Sequence, residues 1–250
     1  METVEARKNE VVLKPSENPC SQVMALIPAY NAAGAVGKVV EGINALGAGI
    51  TVVVVDDGSA DSTADEAARA GAIVLKHPVN KGKGEALRTG FAHFITMDLR
   101  AVVTLDADGQ HDPAEIPVLV ERWDATGADI VVGTRKRDVR KMPPLRVVTN
   151  TLSSLLVSLS AGKYIHDSQS GYRLLSRRTV ERVRTTSRGY GAESEILIKA
   201  ASRGYKVVSA PISTIYGFEK SYIHPLKQPL RFIGLIFKSI VWRFERGDRD

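Results

Sequence analysis

Two carboxylates separated by one residue follow an apolar strand in the middle of the chain. The predicted strand at 101–105 leads directly into Asp106, and Asp108 and Gly109 follow it closely. Alternate residues of a strand point to the same side, so both acids converge where the strand ends, and Gly109 permits a sharp turn. Such a pair suits a hard divalent cation that binds the diphosphate of a nucleotide-sugar and neutralises its charge as it leaves. The pattern therefore predicts a metal site for sugar transfer.

Apolar periodicity predicts the elements that position this site. Strands are expected at 23–27, 51–55, 72–75, 101–105 and 129–132, with helices beginning near Val36, Thr63, Glu85 and Pro113. This alternation favours an α/β fold with a mainly parallel sheet flanked by helices. Ligands of such sheets bind at the carboxyl ends of strands. Polar residues collect at three of those ends, namely at 28–31, 56–59 and 106–108.

Two of the polar segments also have an ordinary structural explanation. Asp57, Gly58 and Ser59 form a common turn composition, and the segment NKGKG at 80–84 can be a flexible basic loop. That loop is not a P-loop, because the required spacing and the Ser or Thr after lysine are absent. Its glycines and lysines nevertheless suit a diphosphate near a helix N-terminus, and Asp56 and Asp57 suit hydrogen bonds from a ribose or base. The coincidence of three clusters at strand ends favours binding.

Composition narrows the possible classes of protein. The chain has 250 residues, 44% of them hydrophobic, and a formal charge of +6, which suits a single-domain enzyme with anionic partners. Its single cysteine, Cys20, provides neither a disulfide framework nor a cysteine metal site, and this indicates a reducing cytoplasm. Residues 1–21 are polar and predict a flexible tail without a secretory signal. A non-catalytic nucleotide or nucleic-acid binder stays open, but strand-end acids would repel a nucleic-acid backbone, so no nucleic-acid partner is expected.

Five segments together resemble the inverting GT-A glycosyltransferases of family 2. In chain order they are ALIPAYN at 25–31, VDDGSADST at 55–63, NKGKG at 80–84, DADGQHDP at 106–113 and QSGYR at 169–173. They are most similar to the polyprenyl- and dolichyl-phosphate mannose synthase branch. The resemblance implies a GT-A domain over residues 22–216 and Mg²⁺ or Mn²⁺ held by Asp106, Asp108 and Gln110. It also implies a set of donor-binding residues: Pro28, Tyr30, Asn31, Asp56, Asp57, Lys81, Lys83, Asp106 and Asp108.

The second half of the chain is expected to bind the acceptor. Arg135 ends a predicted strand and Arg146 follows in a basic loop. A basic run is ordinarily a solvated surface, but guanidinium groups beside a diphosphate cleft match phosphate oxygens. The resemblance assigns both arginines to an acceptor phosphate and turns Asp167, with Gln169 nearby, toward the sugar or acceptor. Asp108, Asp167 and Arg135 are the predicted catalytic residues.

The helix that begins at residue 191 carries two further candidates, Glu193 and Glu195. The resemblance places an acid of this helix near the reaction centre. Acids in a first turn are also favoured by the helix dipole alone, so the sequence does not choose between the two.

The acceptor determines whether the reaction needs a base. A sugar hydroxyl would lose its proton to a base such as Asp167 or Glu193, whereas a lipid phosphate is already an anion. The many arginines and few candidate bases favour polyprenyl phosphate as acceptor, and the resemblance favours GDP-mannose as donor. A UDP-sugar donor and a sugar or small-molecule hydroxyl acceptor stay open as alternatives.

A lipid acceptor requires contact with a membrane surface. The longest uncharged run, at 147–162, is too short and too rich in Ser, Thr and Asn to span a bilayer. Residues 217–250 are expected to form a mobile loop and then an amphipathic helix, whose basic and aromatic residues at 229–246 suit the headgroup region. The sequence thus predicts a cytoplasmic enzyme that is peripheral on the cytoplasmic face of a membrane.

Overall fold

A seven-stranded sheet forms the centre of the computed structural model, which describes residues 18–135, 154, 158, 167–168, 170–187, 189 and 191–213. Its strands are β1 (Val23–Ala29), β2 (Thr51–Asp56), β3 (Ile73–Lys76), β4 (Ala101–Thr104), β5 (Ile130–Arg135), β6 (Arg173–Ser176) and β7 (Val207–Ile212). The spatial order is β3-β2-β1-β4-β6-β5-β7. The predicted mainly parallel sheet is confirmed.

Strand β6 is the exception to the parallel arrangement. It pairs antiparallel with both β4 and β5, and Arg173 lies opposite Thr104 on one side and Val132 on the other. The other neighbouring strands are parallel. Because β6 runs in reverse, the residues just before it reach the edge of the sheet at which β4 and β5 end.

Helices cover both faces of the sheet. One face carries α1 (Val36–Asn44), α2 (Thr63–Arg69) and α4 (Ile116–Thr126), and the other carries α3 (Lys83–Ile95), α5 (Arg177–Arg182) and α6 (Gly191–Ser202). Along β1, Ala25 and Ile27 pack into the first core, whereas Met24 and Leu26 pack into the second. Burial on both faces explains why these strands are continuous apolar runs rather than alternating ones.

Some local predictions require correction. The helix predicted from Pro113 begins as a short 3₁₀ helix (Pro113–Glu115), which the Asp112 side chain caps by accepting the N–H of Ala114 at 2.9 Å. The last residues of the predicted tail are also structured: Pro19–Gln22 form a 3₁₀ helix because the Asn18 side chain accepts the N–H of Cys20. Strand β7 and helix α5 were not predicted.

Residues 1–17 and the loop and amphipathic helix predicted over 217–250 lie outside the described residues. Within the described part of the chain, no helix combines the length and the apolar character that a bilayer span requires.

Candidate active site

Three charged side chains meet where β4 ends. The Lys83 Nζ lies 2.5 Å from Asp106 Oδ1 and 3.0 Å from Glu193 Oε1. Each side chain comes from a different element, because Asp106 follows β4, Lys83 begins α3 and Glu193 lies in the first turn of α6. Gly171 allows the two acids to approach its backbone, since a Cβ there would lie 2.9 Å from Asp106 Oδ2. The structure thus joins predicted donor and acceptor residues in one cluster.

Lys83 carries a positive charge in this cluster. Burial alone would lower its pKa, but the carboxylates of Asp106 and Glu193 outweigh burial and raise it. The ammonium group therefore stays charged at neutral pH and offers a fixed cation beside the predicted metal ligand. A nucleotide diphosphate bound at this edge would meet that charge.

Asp106 and Asp108 fit a divalent cation that shares its shell with a substrate. Asp108 is exposed, and its Oδ1 accepts the backbone N–H of Gln110 at 2.9 Å. Desolvation of its carboxylate by nearby protein atoms, together with the negative charge of Asp106, raises the pKa of Asp108. The two acids therefore repel each other, and a bound cation would remove that repulsion.

The described residues do not supply a complete protein shell for a metal. Among them, no three acidic, histidine or cysteine side chains converge as ligands. Mg²⁺ commonly uses one or two carboxylates and completes its shell with substrate phosphates and water. Two acids at an open edge suit that kind of site.

The peptide of Asp106 is held by His111, which the sequence predicted to lie at the start of the following helix rather than to bind the metal. His111 is buried, its Nδ1 accepts the N–H of Asp106 at 3.1 Å, and its ring stacks on Tyr172 with centroids 5.0 Å apart. The Tyr172 hydroxyl in turn donates to the carbonyl of Asp112 at 2.9 Å. These contacts connect the loop after β4 to the start of β6.

The predicted nucleoside-binding residues lie at the ends of β1 and β2. Tyr30 is 51% exposed next to the partly exposed Pro28, and the N–H of Asn31 donates to Ser59 Oγ at 2.9 Å. Asp56 is fully buried, and its Oδ2 has no hydrogen-bond partner among the described residues. The two strand-end loops therefore form one surface, with an acceptor oxygen beneath it.

Asp57 points into the protein, although it was predicted to bind the donor. Its Oδ1 lies 2.6 Å from His77 Nδ1 and accepts the N–H of Lys81 at 2.9 Å, while its Oδ2 accepts the N–H of Gly82 at 2.7 Å. Two backbone amides of the basic loop are thus directed at Asp57. Lys81 itself is exposed, so of the two predicted lysines Lys83 lies in the charged cluster.

Arg173 binds the backbone on the Glu193 side of the cluster. Its buried guanidinium donates to the carbonyls of Ser168 at 2.7 Å, Ser170 at 2.7 Å and Glu193 at 2.6 Å. Burial lowers the pKa of Arg173, but the negative charges of Glu193, Asp167 and Asp106 oppose this effect. Asp167 is itself buried and has a positive φ of 45°. Arg173 therefore brings the predicted acid Asp167 into the same neighbourhood as the other two.

Glu195 faces away from this cluster. Its buried carboxylate accepts hydrogen bonds from Thr185 Oγ1 at 2.7 Å, the N–H of Ser187 at 2.8 Å and Lys199 Nζ at 2.5 Å. Burial would raise the pKa of Glu195, but these hydrogen bonds lower it to about 2. The structure thus separates the two glutamates that the sequence left equivalent, with Glu193 at the site and Glu195 holding residues 185–187.

Three predicted site residues have no described side chain. The backbone of Arg135 ends β5 at the same edge of the sheet, but its side chain lies outside the described part. Arg146 and Gln169 also lie outside it. Their predicted roles stay predictions.

The fold and the charged edge together define a glycosyltransferase of the GT-A type. The family model for glycosyl transferase family 2 matches residues 24–184, so the chain belongs to that family. Among solved structures, glucosyl-3-phosphoglycerate synthase from Mycobacterium tuberculosis, in complex with Mn²⁺, uridine diphosphate and phosphoglyceric acid, has a TM-score of 0.69 at 23% identity. The match covers 91% of this chain and 79% of that chain and confirms the fold.

Two relatives of known name are similar over most of the chain. The polyprenol monophosphomannose synthase of Mycolicibacterium smegmatis is 31% identical over 207 residues, which cover 78% of each protein. The UDP-N-acetylglucosamine–dolichyl-phosphate N-acetylglucosaminyltransferase of Methanococcus voltae is 31% identical over 216 residues, which cover 78% of this chain and 86% of the relative. Both names contain a polyprenyl-type lipid, but they contain different sugars.

Proposed function

We propose that this glycosyltransferase moves a hexose, with inversion, from a nucleotide-sugar to polyprenyl phosphate, and that GDP-mannose is the donor. The observation that carries the proposal is the cluster of Asp106, Lys83 and Glu193 at the carboxyl edge of the sheet. It combines a metal-binding carboxylate and a fixed ammonium group, which are the charges that a departing diphosphate requires. The lipids named in the two relatives support the acceptor class.

Donor binding is assigned to the first half of the chain. Asp106, Asp108 and Gln110 would hold Mg²⁺ or Mn²⁺, which when bound supplies positive charge to the leaving diphosphate. Lys83 adds its ammonium charge from the start of α3. Tyr30 and Asp56 are proposed to contact the nucleoside, which the exposed ring of Tyr30 and the carboxylate oxygen of Asp56 without a hydrogen-bond partner among the described residues support.

Transfer itself needs alignment more than proton removal. An oxygen of the acceptor phosphate attacks the anomeric carbon, the bond from that carbon to the diphosphate breaks, and its electron pair leaves with the nucleoside diphosphate. The phosphate is already ionised, so no base must take a proton. Asp167 and Glu193 are both buried, which suits residues that orient the sugar and acceptor. Arg135 and Arg146 are proposed to bind the acceptor phosphate.

The acceptor lipid places the enzyme at a membrane surface in this proposal. Contact is assigned to residues 229–246, whose apolar, aromatic and basic residues suit the interface, and the cytoplasmic face is the expected side. Polyprenyl phosphate would then reach the edge of the sheet from the bilayer.

The deciding experiment is transfer of labelled mannose from GDP-mannose into the organic phase, with and without polyprenyl phosphate. Label that requires both the lipid and Mg²⁺ or Mn²⁺ supports the proposal. UDP-N-acetylglucosamine and UDP-glucose are assayed in parallel, because one relative is named for a UDP-sugar. Lipid-dependent label from a UDP-sugar alone would replace the donor and retain the acceptor.

A hydroxyl acceptor is the second candidate function. It would require a base, for which the sequence offers Asp167 or Glu193, both of which are buried. Loss of transfer in Asp167→Asn, together with full activity in Arg135→Ala, would favour this alternative over the lipid phosphate.

A further inference from the structure

A chain of polar side chains connects helix α3 to the loop that precedes it. Thr89 Oγ1 lies 2.9 Å from His77 Nε2, and His77 Nδ1 lies 2.6 Å from Asp57 Oδ1. Asp57 then accepts the backbone N–H groups of Lys81 and Gly82. Asp57 and His77 are only 3% and 6% exposed, so these hydrogen-bonded side chains are largely shielded from water.

The hydrogen-bonding groups of this series complement one another. A carboxylate accepts hydrogen bonds, so Nδ1 of the imidazole is the donor toward Asp57. A hydroxyl both donates and accepts, so Thr89 Oγ1 can pair with Nε2 whether or not that nitrogen carries a proton. Thr89 thereby fixes the orientation of the ring, and the ring fixes the carboxylate.

The loop is held from a second side by the turn after β2. Gly58 has a φ of +75°, and a Cβ there would lie 2.4 Å from the carbonyl carbon of Val79 and 2.6 Å from the nitrogen of Asn80. The backbone of the loop therefore rests directly on Gly58. This contact holds residues 79–80, and Asp57 holds residues 81–82. The polypeptide backbone therefore enters α3 in a fixed position.

This arrangement fixes the position of Lys83. It follows Gly82 directly, begins α3 and extends its ammonium group to Asp106 and Glu193. A shift in the peptides of Lys81 and Gly82 would move Lys83 relative to both acids. A charged group stabilises a bound diphosphate most strongly when the protein holds it in position beforehand, so a mobile loop would weaken that stabilisation.

We propose that His77 and Thr89 are positioning residues for donor binding. Acting through Asp57, they set the loop at 80–82 and the ammonium group of Lys83 for the diphosphate. The inference rests on the proposed function, because that function places a diphosphate beside Lys83.

Thr89 offers a matched pair of variants. Thr89→Val keeps the shape of the side chain and removes the hydroxyl, whereas Thr89→Ser keeps the hydroxyl. Hydrogen exchange, followed by mass spectrometry on peptides covering residues 78–84, measures the protection of the loop amides in the absence of any substrate. Exchange at Lys81 and Gly82 is expected to be roughly tenfold faster in Thr89→Val and close to the wild-type rate in Thr89→Ser. Equal exchange in both variants would overturn the proposal.

The functional consequence is read from the binding of GDP and UDP in the presence of Mn²⁺, measured by calorimetry. Thr89→Val is expected to weaken the tighter nucleotide about tenfold, Thr89→Ser is expected to restore it, and both should melt close to the wild-type temperature. Equal binding by the two variants would overturn the positioning role and leave the proposed function intact. A wild-type protein that binds neither nucleotide would overturn both. If the valine variant does not fold, Thr89→Ala provides the same comparison with serine.

Discussion

Glu193 and Glu195 lie two residues apart on α6. We expect Glu195→Gln to lower the stability of the protein and Glu193→Gln to lower its turnover. In Glu195→Gln, an amide replaces a buried carboxylate that Thr185, Ser187 and Lys199 all contact. The ordinary pKa of 4.5 falls to about 2 in the folded protein, and this difference corresponds to about 3 kcal/mol of stability at neutral pH. For a domain of this size, the melting temperature should fall by about 6–12 °C.

The pH dependence follows from the direction of that pKa shift. A carboxyl group whose pKa is lowered by folding stabilises the protein above its unfolded pKa, and the contribution disappears as the pH falls toward the folded value. The difference in unfolding free energy between wild type and Glu195→Gln should therefore be full at pH 7 and roughly halved at pH 3. Urea unfolding at both pH values measures it, and the comparison removes the titration of other groups.

Glu193→Gln is the matched control on the same helix. It removes one of the two negative partners of Lys83 without disturbing residues 185–187, so turnover should fall while the melting temperature changes by only a few degrees. The reasoning would be refuted if Glu195→Gln lost turnover but kept wild-type stability, or if its stability loss were as large at pH 3 as at pH 7.

Three further changes test other parts of the molecule. Asp108→Asn should abolish metal-dependent turnover and keep the fold, because the residue is exposed and packs in no core; wild-type turnover in EDTA would contradict the metal site. Gly58→Ala places a methyl group 2.4 Å from the backbone of Val79 and should cost about 2–3 kcal/mol in urea unfolding; unchanged stability would show that the loop yields. Deleting residues 229–250 should reduce sedimentation with anionic vesicles, and equal sedimentation of the shortened chain would rule out the interfacial helix.

Local sequence predicts much of the sheet, because its central strands are dense apolar runs. The strand predicted at 51–55 is observed as Thr51–Asp56, and the first strand is observed as Val23–Ala29. Strand β7 was missed, since Val207–Ile212 contains a proline and is only partly buried at the edge of the sheet. The antiparallel insertion of β6 was also not predicted, because no local pattern encodes a partner so distant along the chain.

Contacts between side chains of the site were also not predicted where they depend on segments that are distant along the sequence. Asp106 and Lys83 were predicted separately from strand-end and loop patterns, but their ion pair depends on how α3 packs. His77 was not predicted, although it directly follows β3 at the edge of the sheet where the other predicted site residues lie. Its partner Thr89 carries no such signal, since threonine in a helix is ordinary. The direction in which Asp57 points likewise depends on the loop amides that surround it.

The position of β6 also determines the order in which the molecule can assemble. Strands β1, β2 and β3 pair with near neighbours along the chain, whereas β4 joins β1, and β6 joins β4, only across much longer stretches, whose closure costs more entropy. We therefore expect β1, β2 and β3 to gain protection first in pulse-labelled hydrogen exchange, and β4 and β6 to follow. Gly171 and Glu193 reach Asp106 only with that late step. A folding intermediate would thus hold the loops after β1 and β2 but lack the cluster of Asp106, Lys83 and Glu193, which makes activity a sensitive measure of the last stage of folding.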